Sequence, residues 1–210
     1  MTEIIEFILW ILFISVLVSL GVKIYKRLYL IRVMKRISAL EGVSVKMLKN
    51  PLLTLFRFSR DAEYTVDVWG EIYLVRTYNG DGGGNAVHFA TEKFTVLYSR
   101  LKTGVYMPRY GRIFTMKGFS IGAKVKVLPP ITPPSELSDR DFCEVIIFNP
   151  APTEVSYVAH EKTSIKVAFT GDEIYGRRIF TASTFEIFID REARRIKDER
   201  LGVYYDPWKE

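Results

Sequence analysis

The sequence is poor in the residues that most often build reactive sites. Its 210 residues include one cysteine, Cys143, and two histidines, His88 and His160. A single cysteine excludes an internal disulfide bond and a thiolate metal cluster, and it fits a reducing compartment. Neither histidine lies in a His-x-x-x-His or His-Glu-x-x-His pattern, so two unrelated surface histidines are expected. We therefore expect no metal site and no other cofactor.

The motifs of common enzyme classes are missing as well. There is no Gly-x-Ser-x-Gly elbow, and Cys143 lies in an apolar run, where a buried thiol is normally inert. A nuclease site on Asp67 and Glu71 would need a lysine two residues after one of them, and neither position holds one. The glycine-rich loop at 79–85 precedes a strand-like stretch, which favours a hairpin connection over a phosphate-binding loop. The sequence indicates no catalytic residue and favours a protein that is not an enzyme.

The most informative stretch of the chain is long and apolar. Sixteen residues between Glu6 and Lys23 carry no charge, and apolar residues extend the stretch on both sides. A helix of about 20 such residues crosses the hydrocarbon core of a bilayer. Residues 1–25 are therefore predicted to be an outer flank and a transmembrane helix. A cleaved signal peptide is disfavoured by the acidic flank and the missing cleavage pattern, and a buried core helix by the small size of the remaining chain.

The charges at the two ends of this stretch predict its orientation. Only Glu3 and Glu6 precede it, and six basic residues follow closely: Lys23, Lys26, Arg27, Arg32, Lys35 and Arg36. Because Lys and Arg stay on the cytoplasmic side, the N-terminus is predicted outside and the rest of the chain inside. Trp10, Tyr25 and Tyr29 fit interface anchors at headgroup depth, and they fit ordinary packing residues equally well.

The positive net charge is concentrated next to the predicted span. The chain carries +6, to which residues 1–22 contribute −2, residues 23–49 contribute +7 and residues 50–210 contribute +1. A nearly neutral domain argues against a nucleic acid partner. The six basic residues lie within reach of anionic lipid headgroups, where each is worth about 1 kcal/mol. The alternative is that these charges only set the topology.

After the span, the chain is predicted to divide into a basic helix, one domain and a tail. Apolar residues at three-residue steps predict an amphipathic juxtamembrane helix over 26–42, which ends at Gly42 and rests on lipid or on the domain. Residues 43–200 suffice for a single cytoplasmic domain, with a proline-rich break at 129–134. Residues 201–210 are the tail.

Periodicity predicts an α+β fold, in which a β-rich, mainly antiparallel domain follows the two N-terminal helical segments and ends in a C-terminal helix. Alternating residues over 64–68 and 72–77 predict neighbouring strands of a meander. The apolar run at 142–148 predicts a central strand. Ser183 and Glu186 have the spacing of a capping box, and apolar residues recur at helical steps after them, so the C-terminal helix is predicted to begin there.

Two loops are the candidate interaction sites. One follows the predicted central strand at 149–154, and the other lies between short strands at 171–176. Loops at strand ends often carry ligand-binding residues, although prolines also simply end strands. The candidate residues are Asn149, Pro150, Pro152, Glu154, Gly171, Asp172, Tyr175 and Gly176.

The same region resembles a group of known sequences. Phe-Asn-Pro-Ala-Pro-Thr-Glu-Val at 148–155, Gly-Asp-Glu-Ile-Tyr-Gly at 171–176 and the helix after Ser183 are similar to parts of uncharacterised small single-pass membrane proteins of Gram-positive bacteria. The resemblance covers residues 142–196. It implies a bacterial plasma membrane and carries no activity.

Two functions of different classes follow from these observations. The favoured one is a single-pass membrane-anchored protein that presents a cytoplasmic interaction domain to a protein partner, as a non-catalytic scaffold or assembly factor. The alternative is a membrane-tethered hydrolase or small-ligand sensor that uses both loops, with Glu154, Asp172 and Tyr175 converging in one concave pocket.

Overall fold

The computed structural model of the chain describes residues 2–50, 61–78, 85–99, 107–109, 112–114, 124–128, 130–149, 151–159 and 165–202. These residues form two α-helices, α1 (Thr2–Ile37) and α2 (Ala182–Arg200), and a short 3-10 helix at Ser135–Leu137. They also form thirteen strands, which are β1 (Val43–Met47), β2 (Tyr64–Val68), β3 (Glu71–Tyr78), β4 (Asn85–Thr91), β5 (Phe94–Ser99), β6 (Met107–Arg109), β7 (Arg112–Phe114), β8 (Lys124–Val127), β9 (Phe142–Phe148), β10 (Glu154–Val158), β11 (Ile165–Ala168), β12 (Glu173–Ile174) and β13 (Arg177–Thr181). The predicted α+β class, the N-terminal apolar helix and the C-terminal helix are confirmed.

Helix α1 is unbroken over its 36 residues, so its backbone shows no division at residue 25. From Ile4 to Val22 its large apolar side chains are exposed, except for the half-buried Leu20, and beyond Arg27 it buries one face against the domain. Within the described ranges, α1 alone is long and apolar enough to cross a membrane, and its 18-residue apolar window has a mean hydropathy of 2.5. The helix ends at Ile37, and Gly42 turns the chain into β1 with a positive φ of 73°.

The strands are arranged in two large mixed sheets and one small one. The first sheet has the order β1-β2-β3-β9-β13-β12, the second has the order β11-β10-β4-β5-β8, and β6 pairs with β7. The predicted adjacent pair β2 and β3 is an antiparallel hairpin, in which Trp69 and Gly70 form the two-residue turn with positive φ at both positions.

The predicted mainly antiparallel pairing is confirmed in part: among the described strands seven pairings are antiparallel and three are parallel, and the strands form separate sheets instead of one continuous meander. Strand β9 pairs in parallel with both β3 and β13, and β10 pairs in parallel with β4. After β3 the chain leaves the first sheet, builds β4, β5 and β8 of the second sheet, and returns as β9 in the direction of β3. Parallel pairs need such long crossover connections, whereas the prediction paired each strand with its neighbour along the chain.

The domain has three layers, and β9 lies at its centre. Val145 and Ile147 of β9 face the layer formed by α2 and the second half of α1, within the larger apolar core. Ile146 and Phe148 face the second sheet, within a separate apolar core. Successive side chains thus face opposite sides of the strand, and both faces of the run at 142–148 lie in apolar surroundings, as expected of a central strand.

Helix α2 begins two residues before the predicted position. Its N-cap is Thr181, whose Oγ1 accepts the backbone N–H of Thr184, and Thr184 Oγ1 accepts the backbone N–H of Thr181. The capping box is therefore Thr181 with Thr184, and Ser183 lies in the first turn. The prediction missed it because Thr184 replaces the usual glutamate or glutamine at the third helical position. The periodic residues Phe185, Ile189, Ala193 and Ile196 are buried against the first sheet, as predicted.

Candidate functional site

A buried ion pair joins α1 to the domain. Arg27 Nη1 and Nη2 donate to the Glu63 carboxylate at 2.8 and 3.3 Å, and the two side chains are 1% and 0% exposed. Glu63 precedes β2, and Thr77 Oγ1 of β3 donates to the same carboxylate at 2.7 Å. A carboxylate that accepts hydrogen bonds from a guanidinium and a hydroxyl recovers much of the cost of its burial. The pair therefore defines one rotational setting of α1 against the sheet.

A second polar contact lies one residue away along the helix. Asn149, which follows β9 directly, is buried, and its Nδ2 donates to the backbone carbonyl of Lys26 at 2.8 Å. Because a carbonyl oxygen has two lone pairs, it can accept this bond in addition to its bond within the helix. Asn149, predicted as an interaction-loop residue, thus contacts α1.

Apolar packing continues the junction along the rest of α1. Leu30, Val33, Met34 and Ile37 are buried in the core shared by α2 and the first sheet. On the rim, Arg36 Nε and Nη2 donate to the Glu186 carboxylate of α2 at 2.6 and 2.7 Å. Four buried apolar side chains within about two turns attach the second half of α1 as a part of the core.

The six predicted membrane-surface residues fall into different environments. Arg32, Lys35 and Arg36 are exposed, and Lys23 and Lys26 are half-buried. Arg27 differs from the prediction, because it is buried against Glu63 and has no exposed surface to offer to headgroups. Arg27 precedes Leu30, Met34 and Ile37 on one helical face at steps of three, four and three residues, and this spacing was the available signal that it faces inward. Of the predicted interface anchors, Trp10 and Tyr25 are exposed, and Tyr29 packs against the core.

One end of the domain surrounds the point at which α1 leaves it. We call this the helix-exit end. Strands β3, β9 and β13 run in the same direction and finish there at Tyr78, Phe148 and Thr181, which are in register with one another. The next residue after β9 is Asn149, which contacts Lys26. The ends of these strands therefore lie beside Lys26 of α1.

The loop at 149–154 lies at this end. A small groove of about 200 Å³ opens beside it and is lined by Phe148, Ala151, Pro152, Thr153, Glu154, Val155, Ala168, Phe169, Thr170, Ile179, Phe180 and Thr181. Pro150 lies outside the described residues. The lining is mostly apolar, and its volume is below the roughly 300 to 1,000 Å³ of typical small-molecule sites.

The loop at 171–176 spans both ends of the domain. The Asp172 carboxylate accepts the backbone N–H of Phe169 at 2.8 Å, and Gly171 takes a φ of 93° in the turn that follows β11. Tyr175 and Gly176 form the turn between β12 and β13 at the opposite end, with Tyr175 Oη donating to the carbonyl of Val158 at 2.6 Å. Each of these residues has a visible structural task in its own turn.

The three residues of the predicted hydrolase or sensor site do not converge. Glu154 begins β10, and the hydroxyl of Tyr175 binds Val158 at the end of the same strand, about 13 Å further on at 3.3 Å per residue. Asp172 is engaged in its own turn. In the described part of the chain, no group of three His, Cys, Asp or Glu side chains is arranged to hold a metal ion.

The domain contains two further clusters of buried polar side chains. Glu144 of β9 lies 2.7 Å from Arg76 Nη2 and 3.0 Å from Arg177 Nε, in the layer between the two sheets. Burial is the main cause that lowers the pKa of Arg76 to about 10.

The second cluster pairs His88 with Ser156. His88 Nδ1 lies 2.9 Å from Ser156 Oγ on neighbouring parallel strands, and burial lowers the pKa of His88 to about 4. Both His88 and Ser156 are less than 5% exposed, so the prediction of a surface histidine is wrong for His88, which is neutral at pH 7 and closed to substrate.

The junction contains residues that sequence reasoning missed. Glu63 binds Arg27 and Thr77 binds Glu63, although no local pattern distinguishes these two residues from other polar residues near strand ends. Their proximity depends on the β2–β3 hairpin and on the position of α1 against it. Comparisons of the chain with protein-family models, with curated proteins and with solved structures find no match. The function is therefore inferred from the junction itself.

Proposed function

We propose that the chain is a single-pass protein of the plasma membrane, with its N-terminus outside and its α+β domain at the cytoplasmic face. In this role it is a non-catalytic scaffold or assembly factor that presents the domain to a protein partner. The observation that carries the proposal is the shared helix, in which α1 is exposed and apolar to Val22 and is part of the domain core from Arg27 onward.

The attachment of α1 supports a presenting role. Between Val22 and Arg27 the helix continues without a break, so no flexible linker separates the apolar segment from the domain. The buried contacts of Arg27 and Lys26 then set the rotation of the domain around the helix axis. A domain held in this way keeps a constant height and orientation above the bilayer, which suits the assembly of a partner at a defined distance from the membrane.

The proposed orientation rests on the distribution of charge, and the proposed partner site rests on the exposure of a loop. The basic residues after the apolar segment support the cytoplasmic side for the domain, because Lys and Arg are retained there. The loop at 149–154 is the favoured partner site, because Ala151 and Thr153 are exposed at the helix-exit end. The hydrolase or sensor alternative receives no support from the separated positions of Glu154 and Tyr175.

Two measurements in intact cells test the proposal. In a Cys143→Ala background, a membrane-impermeant maleimide should label a cysteine at Thr2 directly and a cysteine at Glu199 only after permeabilisation. Labelling of Glu199→Cys in intact cells would contradict the orientation. A photocrosslinking residue at Thr153 should then capture one dominant protein in the native membrane, whereas the same residue at the exposed Glu199, far along α2, should not. Equal capture at both positions would remove the assigned partner site.

A further inference from the structure

The helix-exit end of the domain lies close to the last residues of the apolar segment of α1. Asn149 contacts the carbonyl of Lys26, and Lys26 follows the first charged residue after the segment, Lys23, by three positions. At about 1.5 Å per residue, this separation corresponds to a rise of about 4.5 Å along the helix axis. The headgroup layer on each side of a bilayer is roughly 5 to 7 Å thick. If α1 spans the bilayer, the strand ends around Asn149 therefore lie at the depth of the headgroups.

Phe169 projects from this end. It follows β11, whose Ala168 pairs with Val155, and it lines the groove together with Ala151 and Pro152 of the loop that follows Asn149. Its side chain is 71% exposed, the largest exposed fraction among the apolar side chains described in the domain. A phenylalanine exposed to this extent is costly in water and is favourable at a lipid interface.

The backbone around Phe169 is held in place. The backbone N–H of Phe169 donates to the Asp172 carboxylate at 2.8 Å, and Thr170 Oγ1 lies 2.7 Å from Thr184 Oγ1 in the first turn of α2. These bonds connect the turn to the element that packs on α1. The projection of the aromatic ring is therefore a built feature of the turn.

A second exposed apolar residue lies at the same end, on the opposite edge of the domain. Met47 ends β1, is paired with Tyr64 next to Glu63, and is 56% exposed. Phe169 directly follows β11, the edge strand of the second sheet, and Met47 ends β1, the edge strand of the first. The two apolar side chains therefore lie on both sides of the point where α1 leaves the domain, which is the arrangement that a flat lipid surface around the helix would contact.

We propose that the helix-exit end of the domain rests on the leaflet from which α1 emerges, with Phe169 and Met47 in the headgroup region. The occupant of this surface is the lipid bilayer itself. The inference rests on the proposed function, because it requires that α1 spans the membrane. In this arrangement the loop at 149–154 reaches a partner along the membrane surface, so the partner is a membrane protein or a membrane-bound one.

Site-directed spin labelling of the full-length protein in phosphatidylcholine and phosphatidylglycerol vesicles tests the proposal. Single cysteines in a Cys143→Ala background would replace Phe169, Met47 and Ala151 at the helix-exit end. Leu201 at the far end of α2 is a matched control, because it is 66% exposed, and Phe13 in the apolar segment is the control for the span. Accessibility to oxygen and to a water-soluble nickel complex would be measured by power saturation at each position.

The expected result is a graded depth. The label at 13 should be accessible to oxygen and shielded from nickel, the labels at 169 and 47 should show the intermediate ratio of the headgroup region, and the label at 201 should resemble one in water. Labels at 169 and 47 that match the label at 201 would overturn the inference while the span stands. Shielding of 169 from both reagents would indicate a protein contact there and would also overturn it. A label at 13 that behaves as in water would instead refute the proposed span. Ala151→Cys repeats the test should a label at 169 disturb the turn.

Discussion

Removing one partner of the buried ion pair between Arg27 and Glu63 should release α1 from the domain. Arg27→Met removes the guanidinium that donates two hydrogen bonds to the buried Glu63 carboxylate, which keeps the hydrogen bond from Thr77. Breaking a buried pair in this way costs about 3 to 5 kcal/mol, since the carboxylate that stays behind loses its charged partner in a region of low dielectric constant. Because a small domain has a total free energy of unfolding of about 5 to 15 kcal/mol, the loss is large enough to loosen the junction at 37 °C.

A variant in which all three side chains are replaced together separates the effect of charge on stability from the effect of packing. The combined variant Arg27→Met, Glu63→Met and Thr77→Val removes both charges and the Thr77 hydroxyl together. Buried pairs replaced by apolar side chains of similar volume are often neutral in stability. We expect this variant to be more stable than either single variant. Such strong non-additivity is the signature of residues that act as one cluster.

The assay is chemical unfolding of the full-length protein in detergent micelles. The fluorescence of Trp69 reports the unfolding, in a Trp10→Phe and Trp208→Phe background that removes the other two tryptophans. Arg32→Met is the matched control, because Arg32 is an exposed arginine on the same helix, and a change within about 0.5 kcal/mol is expected there. If Arg27→Met were as mild as Arg32→Met, or if the single effects simply added, the ion pair would have no role in fixing α1.

Three further changes probe the rest of the fold. Thr181→Ala should lower the free energy of unfolding by about 1 kcal/mol through loss of the N-cap, and Ser183→Ala by much less, in the same unfolding assay. Gly42→Ala should be more damaging, because its φ is 73° and a Cβ would come within 1.9 Å of the Trp69 indole, and hydrogen exchange should then rise in β1 and β2. Burial lowers the pKa of His88 to about 4, so the unfolded chain takes up a proton below pH 6.5 that the folded chain excludes. Stability should therefore be complete above pH 6.5 and fall by on the order of 3 kcal/mol as the pH drops towards 4. His88→Gln should flatten that part of the unfolding profile, and an unchanged slope would show that carboxylates alone cause it.

Local patterns along the chain were sufficient for several elements. The uncharged stretch before Lys23 predicts the exposed half of α1, and the alternation at 64–68 and 72–77 predicts the β2–β3 hairpin. The helical steps from Phe185 to Ile196 predict the buried face of α2. These features depend on the sequence of one element at a time, which is why periodicity alone reveals them.

Local patterns predict the residues of the candidate site only in part. The sequence predicts Asn149 as a site residue because it ends a central strand, and it lies at the junction, but its contact with Lys26 depends on where α1 docks. Charge alone predicts Arg27 at the membrane surface, although its spacing to Leu30 and Met34 indicates the buried face on which the structure has it. The sequence predicts residues 171–176 as one loop, whereas the strands carry its two halves to opposite ends of the domain.

By itself the sequence determined a long apolar helix followed by basic residues, a β-rich α+β domain and a C-terminal amphipathic helix, since each of these is a property of contiguous residues. Tertiary structure alone decided that β9 is inserted between β3 and β13 in parallel, and that α1 becomes part of the core at Arg27. Both results depend on contacts between residues far apart in the sequence, such as Arg27 with Glu63, 36 positions away, and Lys26 with Asn149. Contacts of this kind are selected by the packing of the whole domain, and no local pattern of charge or hydrophobicity specifies them.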